Sequence, residues 1–170
     1  LQTGYGSNLL KYSSLFENSV WTKYNCTAFD NNVDSPYGGN TTRATSILID
    51  STDPYLLQSI ANTATGNYTF SCWIRVAGGT DSLFLNLYSN TQTSGATQAI
   101  SVTSTWTRFS VTFNFTSAHS TKYVKVYLGT NDIELWGCQL EAGTAPTRYI
   151  NTGAAGVSET GVHAYGDLRV

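Results

Sequence analysis

The sequence predicts an all-β fold, an antiparallel sandwich of two sheets. Three observations carry that expectation. Aromatics make up 13% of the 170 residues and charged residues only 12%, with Thr, Ser and Asn abundant. That mixture fits a pleated, half-solvated surface better than a helix. Helix formers are scarce, with four lysines and no methionine. No window of a dozen residues keeps a helical apolar period, whereas several segments alternate apolar and polar residues.

The elements follow in order. WTKYNCTAF, TRATSILI and the shorter YLLQSIA read as strands, and DNNVDSPYGGN, Asp30 to Asn40, as a loop. YTFSCWIRVA is the clearest strand: Tyr68, Phe70, Cys72, Ile74 and Val76 share one face, Thr69, Ser71, Trp73 and Arg75 the other. SLFLNLY places Leu83, Leu85 and Leu87 inward, with Phe84, Asn86 and Tyr88 outward. WTRFSVTFNF sends Phe109, Val111, Phe113 and Phe115 in, with Trp106 and Arg108 out. KYVKVYL sends Val124, Val126 and Leu128 in, with Tyr123, Lys125 and Tyr127 out. In IELWGCQLE, simple alternation puts Glu134, Trp136, Cys138 and Leu140 on one side, with Trp136, Cys138 and Leu140 expected inside, and Ile133, Leu135, Gly137 and Gln139 on the other. Gly143 to Pro146 then form an exit turn, with Arg148 and Tyr149 along the domain edge. About eight to ten such strands in one domain indicate a sandwich, of which a jelly roll is one connectivity.

Composition narrows the function. The length suits one domain. A net charge of −2 with scattered basic residues argues against nucleic acid as a partner. No apolar run reaches the roughly 18 residues of a membrane span, so no membrane insertion is expected. No signal peptide is visible, and a start at LQTGYGSNLL without Met suggests a fragment or processed product. Cys26, Cys72 and Cys138 are far apart and form no CxxC, and His119 and His163 sit in no ligand spacing, which argues against zinc. Asn25, Asn40, Asn67 and Asn114 each begin an N-x-[ST] triplet, weak evidence in so Ser/Thr-rich a chain.

Four stretches carry a resemblance: NLLKYSSLFENSVWTKYN, YTFSCWIRV, WTRFSVTF and, most specifically, WGCQLEAGTAPTRYINT, where W-G-x-Q-L-E-x-G precedes P-T-x-Y-I. Together they resemble a family of jelly-roll domains in tailed-bacteriophage virion proteins, related in fold to carbohydrate-binding modules of polysaccharide-degrading enzymes. The resemblance implies a non-catalytic jelly-roll domain over residues 1–152, in a tail fibre, head fibre or other surface protein of the virion. It implies host cell-surface polysaccharide and other virion proteins as partners, and a homo-oligomer, often a trimer. It also implies a structural Ca2+ site near the chain ends, for which Glu17, Glu134 and Glu141 are the candidate donors. The tail GAAGVSETGVHAYGDLRV, residues 153–170, departs from the family pattern and is expected to be an extended arm, linker or subunit contact. Two alternatives stand beside this reading: a purely architectural capsid decoration or fibre-joining domain, and a carbohydrate-binding module of a secreted polysaccharide-degrading enzyme.

No Ser-His-Asp set suggests itself, and most of the acidic residues fall in loops or at strand ends, so no enzyme is expected. Sugar sites combine exposed rings with planar hydrogen-bonding groups. Trp73, Arg75, Asn86, Tyr88, Tyr123, Lys125 and Tyr127 form the candidate carbohydrate-binding set, with Phe84 beside them. Whether their strands share a sheet depends on the connections. Sugar contact, subunit contact and packing within the domain all remain open for these outward faces. Trp21, Trp106 and Trp136 are expected to serve packing.

Overall fold

A computed structural model of the chain describes residues 6–38, 43–91 and 93–158. Twelve strands occur among them. In chain order they are β1 (Ser7–Asn8), β2 (Thr22–Tyr24), β3 (Cys26–Asp34), β4 (Arg43–Ile49), β5 (Tyr55–Ala61), β6 (Gly66–Val76), β7 (Thr80–Ser89), β8 (Gly95–Thr103), β9 (Thr107–Phe115), β10 (Thr121–Tyr127), β11 (Ile133–Ala142) and β12 (Val157–Ser158). Sheet I has the order β2-β5-β10-β7-β8, and sheet II the order β3-β4-β11-β6-β9. All pairings are antiparallel, and β1 pairs with β12. The expected all-β two-sheet sandwich is therefore what forms.

Alternation builds the core. Sheet I contributes Leu56, Leu83, Leu85, Leu87, Ile100, Val102, Val124 and Val126. Sheet II answers with Phe70, Cys72, Ile74, Val76, Val111 and Phe115, while Phe109 and Phe113 are partly buried against them. Each large apolar side chain so buried contributes about 1.5–3 kcal/mol. Trp21 is buried against Phe16, ring centroids 5.0 Å apart, and its indole N–H donates to the Tyr12 carbonyl, so it packs as expected. Cys26, Cys72 and Cys138 are buried free thiols.

Two expectations change. Asp30 to Asp34, assigned to a loop, extend β3, with an irregularity between Phe29 and Val33 that lets the polar run stay paired with β4. The second change is in β11. Its register with β6 shifts between Trp136 and Gln139, where Gly137 takes φ +66. One residue inserted into a period-2 strand flips every later side chain. Ile133 and Leu135 therefore face the core before the bulge, and Cys138 and Leu140 after it. Glu134, Trp136, Gln139 and Glu141 all lie on the opposite face. Trp136 is buried, but outside the sandwich rather than within it.

Of residues 153–170, the described part continues along the domain: Tyr12 N–H donates to the Gly153 carbonyl, and Val157–Ser158 pair with Asn8 and Ser7. Residues 159–170, with His163, and Asn40 of the second N-x-[ST] triplet lie outside the described residues.

Candidate functional site

The outward face of sheet I is the candidate site. Register sets its side chains in three rungs across the strands. Tyr24, Tyr55, Tyr127 and Phe84 stand opposite one another in the first. Leu57, Lys125, Asn86 and Thr97 form the second. Ser59, Tyr123, Tyr88 and Gly95 form the third. These residues reach the surface because their neighbours Leu56, Val124, Val126, Leu85 and Leu87 fill the core.

The rings are organised in pairs. Tyr24 and Tyr55 stack with centroids 5.0 Å apart and planes 16° from parallel; Tyr88 and Tyr123 stack at 5.1 Å and 13°. The Lys125 ammonium lies over Tyr55, 4.1 Å from its centroid, and 5.0 Å from that of Tyr127. Burial among these rings draws the Lys125 pKa below the usual lysine range. Tyr127 donates to Asp53 at 2.7 Å, and this bond, with lesser contributions from burial and the Asp53 charge, holds its phenol above the usual range. Burial, then the neighbouring Tyr123 and Tyr55, does the same for Tyr88.

A cleft of about 320 Å³ opens on this face, lined by Asn86, Tyr88, Gly95, Ala96, Thr97 and Lys125. Gly95 lies at its wall. A Cβ there would lie 2.4 Å from the Tyr88 Cβ, so only glycine lets β8 approach β7 beside the tyrosine. The side-chain oxygen of Asn86 is buried and accepts no hydrogen bond. Flat rings, an amide and an ammonium on an open cleft suit a ligand with apolar faces edged by hydroxyls.

Five of the seven residues singled out in the sequence share this face: Asn86, Tyr88, Tyr123, Lys125 and Tyr127. Trp73 and Arg75 do not. They lie on β6 in sheet II, on the opposite outward face. There the Arg75 guanidinium pairs with Glu134 and lies 4.9 Å over Trp106. Trp73 is opposite Trp136, and the exposed Tyr37 meets both rings edge-on, at 5.6 and 5.5 Å. Tyr24, Tyr55, Leu57, Ser59, Gly95 and Thr97 are the residues of these rungs that the sequence did not single out. Tyr55 is hidden because YLLQSIA breaks the apolar pattern at Gln58, which is buried by two hydrogen bonds to the Lys11 backbone. Tyr24 sits in a three-residue strand too short to show a period.

Around β11 the outward face of sheet II is covered by segments near the chain's own ends. Glu141 accepts from the Thr147 backbone N–H, the Thr147 hydroxyl and the Gln139 amide. Gln139 accepts from Ile150 N–H, and Asn8 donates to the carbonyls of Cys138 and Ile150. Tyr149 packs on Trp136 at 4.6 Å and shares hydrogen bonds with the hydroxyls of Ser13 and Ser14. The W-G-x-Q-L-E-x-G and P-T-x-Y-I halves are thus two sides of one latch. Tyr149 crosses the sheet face rather than following the edge, because the bulge turns Trp136, Gln139 and Glu141 out to meet it.

The three carboxylates considered for Ca2+ do not converge. Glu134 is taken by Arg75, Glu141 by Thr147 and Gln139, and Glu17 by the Asp30 N–H. The carbonyls of Phe16, Glu17, Asn18 and Trp21, which crowd together as a cation's ligands would, accept instead from the Lys23 ammonium at 2.9–3.2 Å. This donor set does not fit a calcium ion, which takes 6–8 oxygens. Among the described residues no group of three His, Cys, Asp or Glu could hold a metal.

Comparison with solved structures places this architecture. A family 61 carbohydrate-binding module in complex with β-1,4-galactotriose superimposes with TM-score 0.57 at 16% identity, covering 81% of this chain and 100% of that one. The two share a two-sheet jelly-roll sandwich fold. A family 22 xylan-binding domain from Paenibacillus barcinonensis Xyn10C gives 0.57 at 11% identity, covering 86% and 100%. The enzymatically active domain of tailspike protein 4 from bacteriophage CBA120 gives 0.51 at 16%, covering 78% of this chain but only 21% of that one. No protein-family profile matches the chain, and no curated protein does.

Proposed function

We propose that the chain is a non-catalytic carbohydrate-binding module that holds a polysaccharide across the outward face of sheet I. The observation that carries this reading is the cleft between Lys125, Asn86 and the stacked Tyr88–Tyr123 pair. Rings of this kind offer flat apolar platforms for the C–H faces of pyranose rings, and the amide and ammonium offer fixed polar partners for their edges. The outward residues of sheet I include no Asp or Glu, so the face has no acid–base pair for glycoside hydrolysis.

The setting we favour is the virion surface of a tailed bacteriophage, in a fibre or related surface protein presented as a homotrimer. Its support is the resemblance of the closing stretch to virion jelly-roll domains, together with the tailspike likeness in fold. The polysaccharide would then be that of the host cell surface, and repeated copies would raise a weak single-site affinity. A module of a secreted polysaccharide-degrading enzyme is the second reading, favoured by the fold likeness to a family 22 module beside a xylanase catalytic module in Clostridium thermocellum (TM-score 0.52).

Affinity electrophoresis through gels containing neutral, uronic-acid and sulfated polysaccharides tests the binding reading. The native chain is expected to be retarded by at least one polymer, and Tyr88→Ala and Tyr123→Ala to weaken that retention by about tenfold, the scale of one lost aromatic platform. Free migration of the native chain through the whole panel would sink the proposal.

A further inference from the structure

The cleft on sheet I carries more information than its rings. Reading the outward residues of the five strands by register gives Tyr, Phe, Thr, Ser, Asn, Leu, Ala and Gly, and a single formally charged residue, Lys125. The ion pairs among the described residues are Arg43 with Asp34 and Arg75 with Glu134, neither on this face. The nearest acid to the first rung, Asp53, is held by the Tyr127 hydroxyl. Lys125 therefore stands in the cleft against two aromatic rings, with no carboxylate at ion-pair distance among the described residues.

An uncompensated, partly desolvated ammonium is costly unless something negative completes it. Ring quadrupoles supply part of that compensation from below. The ammonium's other side faces the cleft. Beside it, the Asn86 oxygen is a buried acceptor with no donor. One group asks for an anion and its neighbour in the same rung asks for a hydroxyl proton. A sugar bearing a carboxylate or sulfate offers both, because one pyranose ring carries the anionic substituent as well as free hydroxyls. A neutral glycan would satisfy Asn86 and stack on Tyr88, but would leave Lys125 as it is.

We infer that the sheet I cleft selects an anionic polysaccharide, with Lys125 pairing to a carboxylate or sulfate of one residue while Asn86 accepts from a hydroxyl of the same sugar. The inference rests on the glycan-binding reading and deepens it. Lys125 acts here as the charge-selective residue, and the tyrosines supply affinity common to charged and neutral sugars.

The test compares polygalacturonate with the same polymer after its carboxyl groups are reduced to alcohols, and a sulfated galactan with its desulfated form. Each is titrated calorimetrically against the native chain, Lys125→Met, Lys125→Arg and Tyr88→Ala. The native chain is expected to bind at least one charged polymer about tenfold more tightly than its neutral counterpart, or ~1.4 kcal/mol. Lys125→Met should abolish the preference, so that charged and neutral polymers bind that variant alike, and Lys125→Arg should restore it. A preference for polygalacturonate assigns the anion as carboxylate, and one for the sulfated galactan assigns it as sulfate. Equal affinity for charged and neutral forms overturns the inference while leaving the glycan-binding reading intact, provided Tyr88→Ala weakens both. Loss of both affinities in Lys125→Met, with an unchanged near-UV spectrum, overturns it too, since the lysine would then only support the rings. Absence of binding to all four polymers overturns the inference.

Discussion

The Tyr149 phenol lies beneath the N-terminal segment, bonded to Ser13 and Ser14, and burial pushes its pKa up to about 12 from an ordinary 10.0. The folded chain therefore holds the proton more tightly than the unfolded one. Its contribution to stability is complete below the unfolded pKa and is lost as pH rises through the folded value. Denaturant unfolding of the native chain and Tyr149→Phe should show a constant stability gap up to about pH 10. Between there and about pH 12 the gap should narrow. A gap unchanged to the alkaline limit would show that the phenol titrates alike in both states. At this scale the sequence was legible where a residue's neighbours were apolar, as for Asn86 between Leu85 and Leu87 in β7. It was not legible for Trp73. An outward ring on a strand looks the same in the sequence whether it meets solvent or, as here, Tyr37 and Trp136.

At the scale of the element, β11 decides how the domain closes. Its alternation would run unbroken but for Gly137, whose positive φ admits the extra residue. An alanine there would hold a non-glycine residue in the left-handed region at a cost of about 1–2 kcal/mol. Its Cβ would also sit 3.3 Å from the Trp73 ring and 3.5 Å from that of Tyr149. Gly137→Ala is thus expected to lower unfolding stability by about 2 kcal/mol, with the denaturation midpoint as readout. A midpoint within experimental scatter of the native one would mean the bulge is not needed to seat the latch. β6, β7, β9 and β10 could be read from the sequence because each keeps period 2 throughout. β11 could not, because a single inserted residue reverses the faces while leaving composition unchanged, and β3 could not, because past Phe29 it runs on through polar residues that show no alternation.

Across the whole molecule the two sheets do different work. Sheet II has the middle of its outer face, around β11, covered by segments near the chain's own ends, and sheet I leaves its outer face open. Sheet membership was invisible in the sequence: β6 and β7 are consecutive, joined by Gly78 and Gly79, yet belong to opposite layers. This separates the candidate set into two groups with different expected behaviour. Trp73→Ala should reduce stability by about 2 kcal/mol, less than a fully buried Trp loses, and leave polysaccharide affinity unchanged. Tyr88→Ala should do the reverse. Thermal melts and titrations on the two variants and their double mutant check this, with additive effects expected for sites on separate faces. Weaker glycan binding in Trp73→Ala would place a working surface on sheet II as well.

The β1–β12 pair has a consequence for how such a domain can be built into larger proteins. Ser7 stands opposite Ser158, so the polypeptide comes in and goes out side by side. A domain with adjoining ends can be spliced into a turn of another protein without spreading that turn apart, and it tolerates having its order rewired. A short Gly/Ser bridge from 158 to 7, with new ends opened at Gly79, should give a permuted chain that keeps both faces.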